Sequence, residues 1–218
     1  MSTQKVPAAL LESGAAASNI GTGGITASLL ASDSVETAKI KDLNVTTAKL
    51  AASSVTPAKL SQPLTIGTAQ ATTSGNAVTF DSIPAWATRI VVTFSGVSLT
   101  DIAYIKLVLG VAGGLETSGY VGAFGTLTDS SAAAVLDLSS SFIVAVTAGN
   151  GSAVSGSVTL TLMDAATNTW ACHGAVGRTA ELVLHTVAGA KPLAGALTQV
   201  AVTTTGTFDA GKVNILYE

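Results

Sequence analysis

From Ile25 to Leu60 the chain repeats every ten residues without a slip, and this repeat limits the possible folds more than any other feature of the sequence. Ile25, Val35, Val45 and Val55 occupy one phase, while Leu30, Ile40, Leu50 and Leu60 occupy a second phase five residues later. Ala38-Lys39, Ala48-Lys49 and Ala58-Lys59 mark the three closest copies. Self-similarity at a fixed period means one structural unit stacked on itself. In the last copy Thr56 is a good N-cap and Pro57 suits the first helical position, so each unit reads as an extended Val followed by about one helical turn.

Such a unit cannot fold alone. Helix nucleation is unfavourable and isolated helices under about 12 residues are marginal. Burying one Val and one Leu or Ile does not offset the entropy lost in ordering ten residues. The repeat therefore calls for partner chains that bury Ile25, Leu30, Val35, Ile40, Val45, Leu50, Val55 and Leu60 along a shared seam. A closed homotrimer is the arrangement we expect. A flexible linker would have no reason to keep two apolar phases in register over four units.

Around this repeat the sequence divides into three parts. Residues 1–24 are rich in Ala, Ser and Gly, with an apolar patch at Val6 to Leu11 and a Gly21-Thr22-Gly23-Gly24 end. Such a segment would be mobile alone, so it is expected to be an anchor embedded in a larger assembly. Residues 25–63 form the repeat. After Ser61-Gln62-Pro63 the texture changes to apolar residues alternating with Thr and Ser, and residues 64–218 are expected to form a globular head.

Strands are predicted at Ala77–Phe80, Thr88–Ser95, Tyr104–Leu109, Ser141–Thr147, Ser157–Leu162, Thr169–Val176, Glu181–Val187, Leu197–Thr204 and Val213–Tyr217. Turn clusters such as Gly113-Gly114 and Gly149-Asn150-Gly151 separate them. Short strands at this spacing without a long helical pattern predict an all-β fold, with the head a β-sandwich or jelly roll.

Composition narrows the partners. Charged residues make up 11% of the chain, against roughly 25% in an average globular domain. The net charge of −3 offers no basic field to gather a phosphate backbone, so nucleic acid is not an expected partner. The most apolar stretches, Ile90 to Phe94 and Ala103 to Val111, fall far short of the roughly 20 residues of a bilayer-spanning helix, and membrane insertion is not expected. Glu12 cuts the run after Lys5 before it becomes a signal-peptide core, which predicts synthesis in the cytosol without export. Cys172 is the single cysteine, so no intramolecular disulfide is available.

The search for chemistry yields little. No phosphate-loop pattern occurs, and neighbouring Cys172 and His173 point to opposite faces of a strand, with no further ligand spacing. Neither a cofactor nor a metal is therefore expected. No G-x-S-x-G elbow exposes a serine nucleophile. In Leu182-Val183-Leu184-His185 the two leucines read as the core face, which places His185 toward solvent or a subunit. Asp101, Glu116, Asp129, Asp137, Asp164, Glu181 and Asp209 fall in or beside turns and strand ends, where carboxylates usually bond their own backbone. An enzyme is not expected. Trp170 and Tyr120, each beside a turn, are the candidate ligand contacts, since sugars are commonly held against aromatic faces. Trp86, after Ile83-Pro84, reads as core.

Val45-Thr46-Thr47-Ala48-Lys49-Leu50 and its kin at 35 and 55 resemble the stalk repeats of tailed-bacteriophage fibre proteins. Glu116 to Val121, Ser155 to Leu162 and Phe208 to Glu218 resemble the β-rich C-terminal domain carried by many phage and prophage fibres. The resemblance implies a homotrimer located in the virion. Residues 1–24 would be its anchor on portal, neck, tail or capsid proteins, and the head would be displayed toward host-surface glycan. It implies no receptor-binding residue. Many such fibres are far longer, whereas four decads reach at most about 130 Å when stretched. A head or neck fibre, or an adaptor-bound tail tip, fits that length. A decoration fibre that binds only virion proteins and a polysaccharide depolymerase are the alternative readings.

Overall fold

The computed structural model describes residues 30, 32, 35, 40, 45–52, 54–56, 59–60, 62–129, 132–137, 139–149, 151–179 and 182–218. The anchor expected at 1–24 and the first seam residue, Ile25, lie outside them. Internal contacts divide the chain into two units, Met1–Thr56 and Pro57–Glu218. In the first, Val45 is followed by a 3-10 turn at Thr47–Lys49, closed by a hydrogen bond from Lys49 N to Thr46 O at 2.9 Å. The helical turn expected after Val45 is here of the 3-10 type. Such i to i+3 turns are common in short pieces.

The second unit is all-β. Its strands are β1 (Thr65–Ile66), β2 (Gln70–Ala71), β3 (Ala77–Phe80), β4 (Arg89–Leu99), β5 (Tyr104–Val111), β6 (Gly114–Leu115) and β7 (Val121–Thr128). They continue as β8 (Ala132–Asp137), β9 (Phe142–Val146), β10 (Val154–Asp164), β11 (Thr169–Arg178), β12 (Val183–Pro192), β13 (Gln199–Thr204) and β14 (Phe208–Tyr217). Each of the nine predicted segments overlaps one of these strands. The prediction passed over β7, whose Val121-Gly122-Ala123-Phe124-Gly125 run has little β-branched or alternating character.

All pairings are antiparallel. A nine-stranded sheet runs β1-β14-β4-β10-β11-β12-β7-β8, with β2 also on β14. A five-stranded sheet runs β3-β13-β5-β6, with β9 also on β5. The two share one core. On the inner face of the larger sheet the register aligns Ile215, Val92, Val158, Gly174, Val187 and Phe124 in one cross-strand row. Opposite them stand Ile105, Leu107 and Leu109 of β5, Val200 and Val202 of β13, and Val78 and Phe80 of β3. This period-2 alternation places one face of each strand in the core.

The β9 strand packs over β11, β12 and β7, and a pair of glycines makes room for it. Gly189 of β12 and Gly122 of β7 are cross-strand partners, and Phe142 is fully buried. A Cβ at Gly189 would lie 2.5 Å from Val121 O and 2.9 Å from Phe142 Cε1. The bare backbone thus forms the floor on which the ring rests. At Gly177 a Cβ would meet nothing within 4 Å. Gly189→Ala should therefore destabilise the protein by about 2 kcal/mol through overpacking, whereas Gly177→Ala should stay within about 0.5 kcal/mol of wild type. Urea unfolding monitored by tryptophan fluorescence checks both.

Candidate functional site

The two aromatic residues picked from sequence as ligand contacts come together, but inside the protein. Trp170 is 2% exposed and Tyr120 3% exposed, so neither presents a ring face to a sugar. Their common neighbour is Lys191. It is the cross-strand partner of Trp170, and its ammonium stands 5.6 Å from the centre of the Tyr120 ring. Both rings sit beside turns in sequence, but strand register turns Trp170 inward, in line with Leu162 and Lys191, and hydrogen bonds of its hydroxyl hold Tyr120 inside. Tyr120 also packs edge-on against Phe142 at 4.9 Å.

Lys191 is itself buried and is held by an ion pair with Glu116. Its Nζ also donates to Pro192 O at 2.6 Å. The second carboxylate oxygen of Glu116 accepts from Ala194 N at 2.9 Å. Partial burial works to raise the Glu116 pKa, but Lys191 and the Ala194 N–H outweigh it and hold the carboxyl below its ordinary value. The Tyr120 hydroxyl donates to Glu116 O at 2.9 Å and accepts from Leu109 N at 2.8 Å. Desolvation pushes its pKa up to about 12, so it stays neutral and hydrogen-bonded. Glu116 thereby bolts the segment after β6 to the end of β12, and Tyr120 ties the same segment to β5. Sequence reasoning missed Lys191, although the alternation Val183, His185, Val187 places position 191 on the inward phase.

Breaking a buried ion pair leaves an unpaired charge and costs roughly 3–5 kcal/mol. Lys191→Ala should accordingly lower the unfolding free energy by about 3 kcal/mol, and Tyr120→Phe by about 1 kcal/mol through its lost hydrogen bonds. Chemical denaturation at neutral pH measures both.

His185 is a correction. It is fully buried, whereas Leu182 and Leu184, expected in the core, are 84% and 44% exposed. Register explains the reversal, because His185 lies in the inner row Val213, Phe94, Gly156, Val176, His185, Thr126. Its Nδ1 is 3.0 Å from Thr126 Oγ1, and its ring stacks on Phe124 at 5.5 Å. Nε2 is buried without a hydrogen bond. Desolvation, with Arg178 nearby, lowers its pKa to about 4 against a smaller opposing pull from the Val146 carbonyl. The folded protein thus favours neutral imidazole. Stability from this group is complete above the ordinary pKa of about 6.5 and is lost as the pH falls toward 4, by up to roughly 3 kcal/mol. Unfolding free energies measured between pH 7 and 4 should show that decline, and His185→Gln should flatten it.

The remaining candidates are dispersed. Asp164 bonds Ala166 N at 2.9 Å and Thr167 Oγ1 at 2.8 Å within its own turn, and Asp209 accepts from Ser98. Asp101 accepts from Thr100 Oγ1 at 3.0 Å. Glu181 and the side chain of Asp137 lie outside what the structure describes. Trp86, expected in the core, is half-buried beside Tyr217 at 5.9 Å. Cys172 is buried, and burial raises its thiol pKa to about 12. Among the described residues no cluster of His, Cys, Asp and Glu could hold a metal ion. No described helix is long and apolar enough to cross a membrane. Leu127, Leu182 and Leu184, with Asp129 and Arg178, line an open groove of about 540 Å³.

The seam residues form a second feature. Leu30, Val35, Ile40, Val45, Leu50, Val55 and Leu60 are each between 43% and 54% exposed. Within one chain the repeat leaves its apolar side chains half in water. Comparison of the sequence and structure with protein-family models, curated proteins and solved structures finds no match.

Proposed function

We propose that the chain is the subunit of a homotrimeric tailed-bacteriophage fibre. Residues 1–24 fix it to the particle, 25–63 form a three-chain stalk, and 64–218 form a β-sandwich head for non-catalytic attachment to host-surface glycan. One observation carries this reading: apolar side chains recur every five residues from Leu30 to Leu60, and each remains about half exposed in the single chain. A monomer gains nothing from that spacing, whereas parallel copies in register bury every member of the series. Three heads on one stem would bind a surface through several weak contacts at once, with the groove at Leu127, Leu182 and Leu184 available on each head.

A second reading, a decoration fibre that binds only other virion proteins, is favoured by the aromatic residues. None of the two Trp, three Tyr and five Phe side chains is fully exposed. A ring platform for sugar stacking is therefore reduced to the half-buried Trp86, Tyr104 and Tyr217.

Light scattering on the full chain should give three times the mass of one chain. The double variant Val45→Asp, Leu50→Asp should give a single-chain mass with its β circular dichroism intact. A wild-type monomer would overturn the assembly. Saturable binding of labelled wild-type trimer to host cells supports attachment, and its absence alongside normal adsorption of particles lacking the protein supports decoration.

A further inference from the structure

We infer that the outer face of the nine-stranded sheet, at its β1–β14 edge, is where the heads of neighbouring copies of this chain meet; this rests on the multichain reading above. Ile66 is 70% exposed and Leu64, two residues earlier, is 53% exposed. Ile66 pairs with Leu216, and Leu216 pairs with Val91. The three side chains form one cross-strand apolar row on the face opposite the core, since the alternate residues Ile215 and Val92 point inward and are buried. The same row continues as Thr159, His173, Ala188 and Ala123, so its large apolar members are confined to the edge where β1 enters.

The covalent chain identifies the occupant. Leu60, the last member of the five-residue series, is 49% exposed and stands four residues before Leu64, a span of at most about 14 Å. Chains bundled at Leu60 deliver Leu64 to within that reach of Leu60, and Ile66 of β1 to within about 21 Å, at an effective concentration in the millimolar range. Leu60, Leu64 and Ile66 then carry the apolar series from the repeat into the sheet edge. The partner present at that place is the same edge of another copy. The charge nearest Val91 on this face, Arg89 two positions away, is ion-paired with Glu218 of its own chain, and Lys212 lies four positions from Leu216 along β14.

Single cysteines in the full chain test the contact, with buried Cys172 as a silent background. After brief treatment with a short bismaleimide, Ile66→Cys should yield linked pairs of chains on a denaturing gel. Ile102→Cys, 75% exposed beyond the far end of β4, should yield none. Light scattering on the same samples separates two failures. A single-chain mass overturns the repeat reading and this inference with it. A multichain mass with no more linkage at position 66 than at 102 overturns this inference alone.

Discussion

A nine-stranded sheet has to be sealed by a five-stranded one, and the interior of the head is organised around that mismatch. The central strands of the larger sheet are covered by β5, β13 and β3, whose inward residues are ordinary aliphatic side chains. Toward β11, β12 and β7 the cover narrows to β9, five residues long. There the fold resorts to less common devices. Paired glycines at 122 and 189 let Phe142 rest on bare backbone. The inward positions to either side of Gly189 on β12 include a buried lysine and a buried histidine.

These two residues show how a charge-poor chain handles ionisable groups at the margin of its core. Lys191 has a carboxylate, a carbonyl and a ring as neighbours. His185 has Thr126, Phe124 and the Val146 carbonyl around it but no carboxylate, so it stays neutral. Desolvation penalises an unpaired charge far more than a neutral imidazole with one hydrogen bond. The first arrangement fastens a loop to a strand end, while the second ties the stability of the same strand to pH.

The repeat poses the opposite problem. Its described apolar side chains, Leu30 to Leu60, stay half exposed in a single copy. A 3-10 turn held by one hydrogen bond, as at Thr47–Lys49, contributes little on its own. The proposed trimer follows from that deficit, and the inferred contact at Leu64, Ile66 and Leu216 would bring the heads into the same association.

Sequence by itself determined the properties that depend on local pattern. The ten-residue period and its two apolar phases are explicit in the residues, and so is the all-β character of the head. Alternation placed strands such as β3 and β10, because period-2 hydrophobicity is a local signal. Only the tertiary structure decided what depends on register with distant strands. It added β7, where Gly and Ala conceal the strand pattern and pairing with β12 supplies it. It turned His185 inward and Leu184 outward, because a strand's inward phase is set by its neighbours' cross-strand rows and a slip of one residue exchanges every side chain. It also took Tyr120 and Trp170 from apparent turn positions into the core around Lys191. Sequence could not show that move, because Glu116 and Lys191 are 75 residues apart along the chain and their attraction exists only after the sheets have closed.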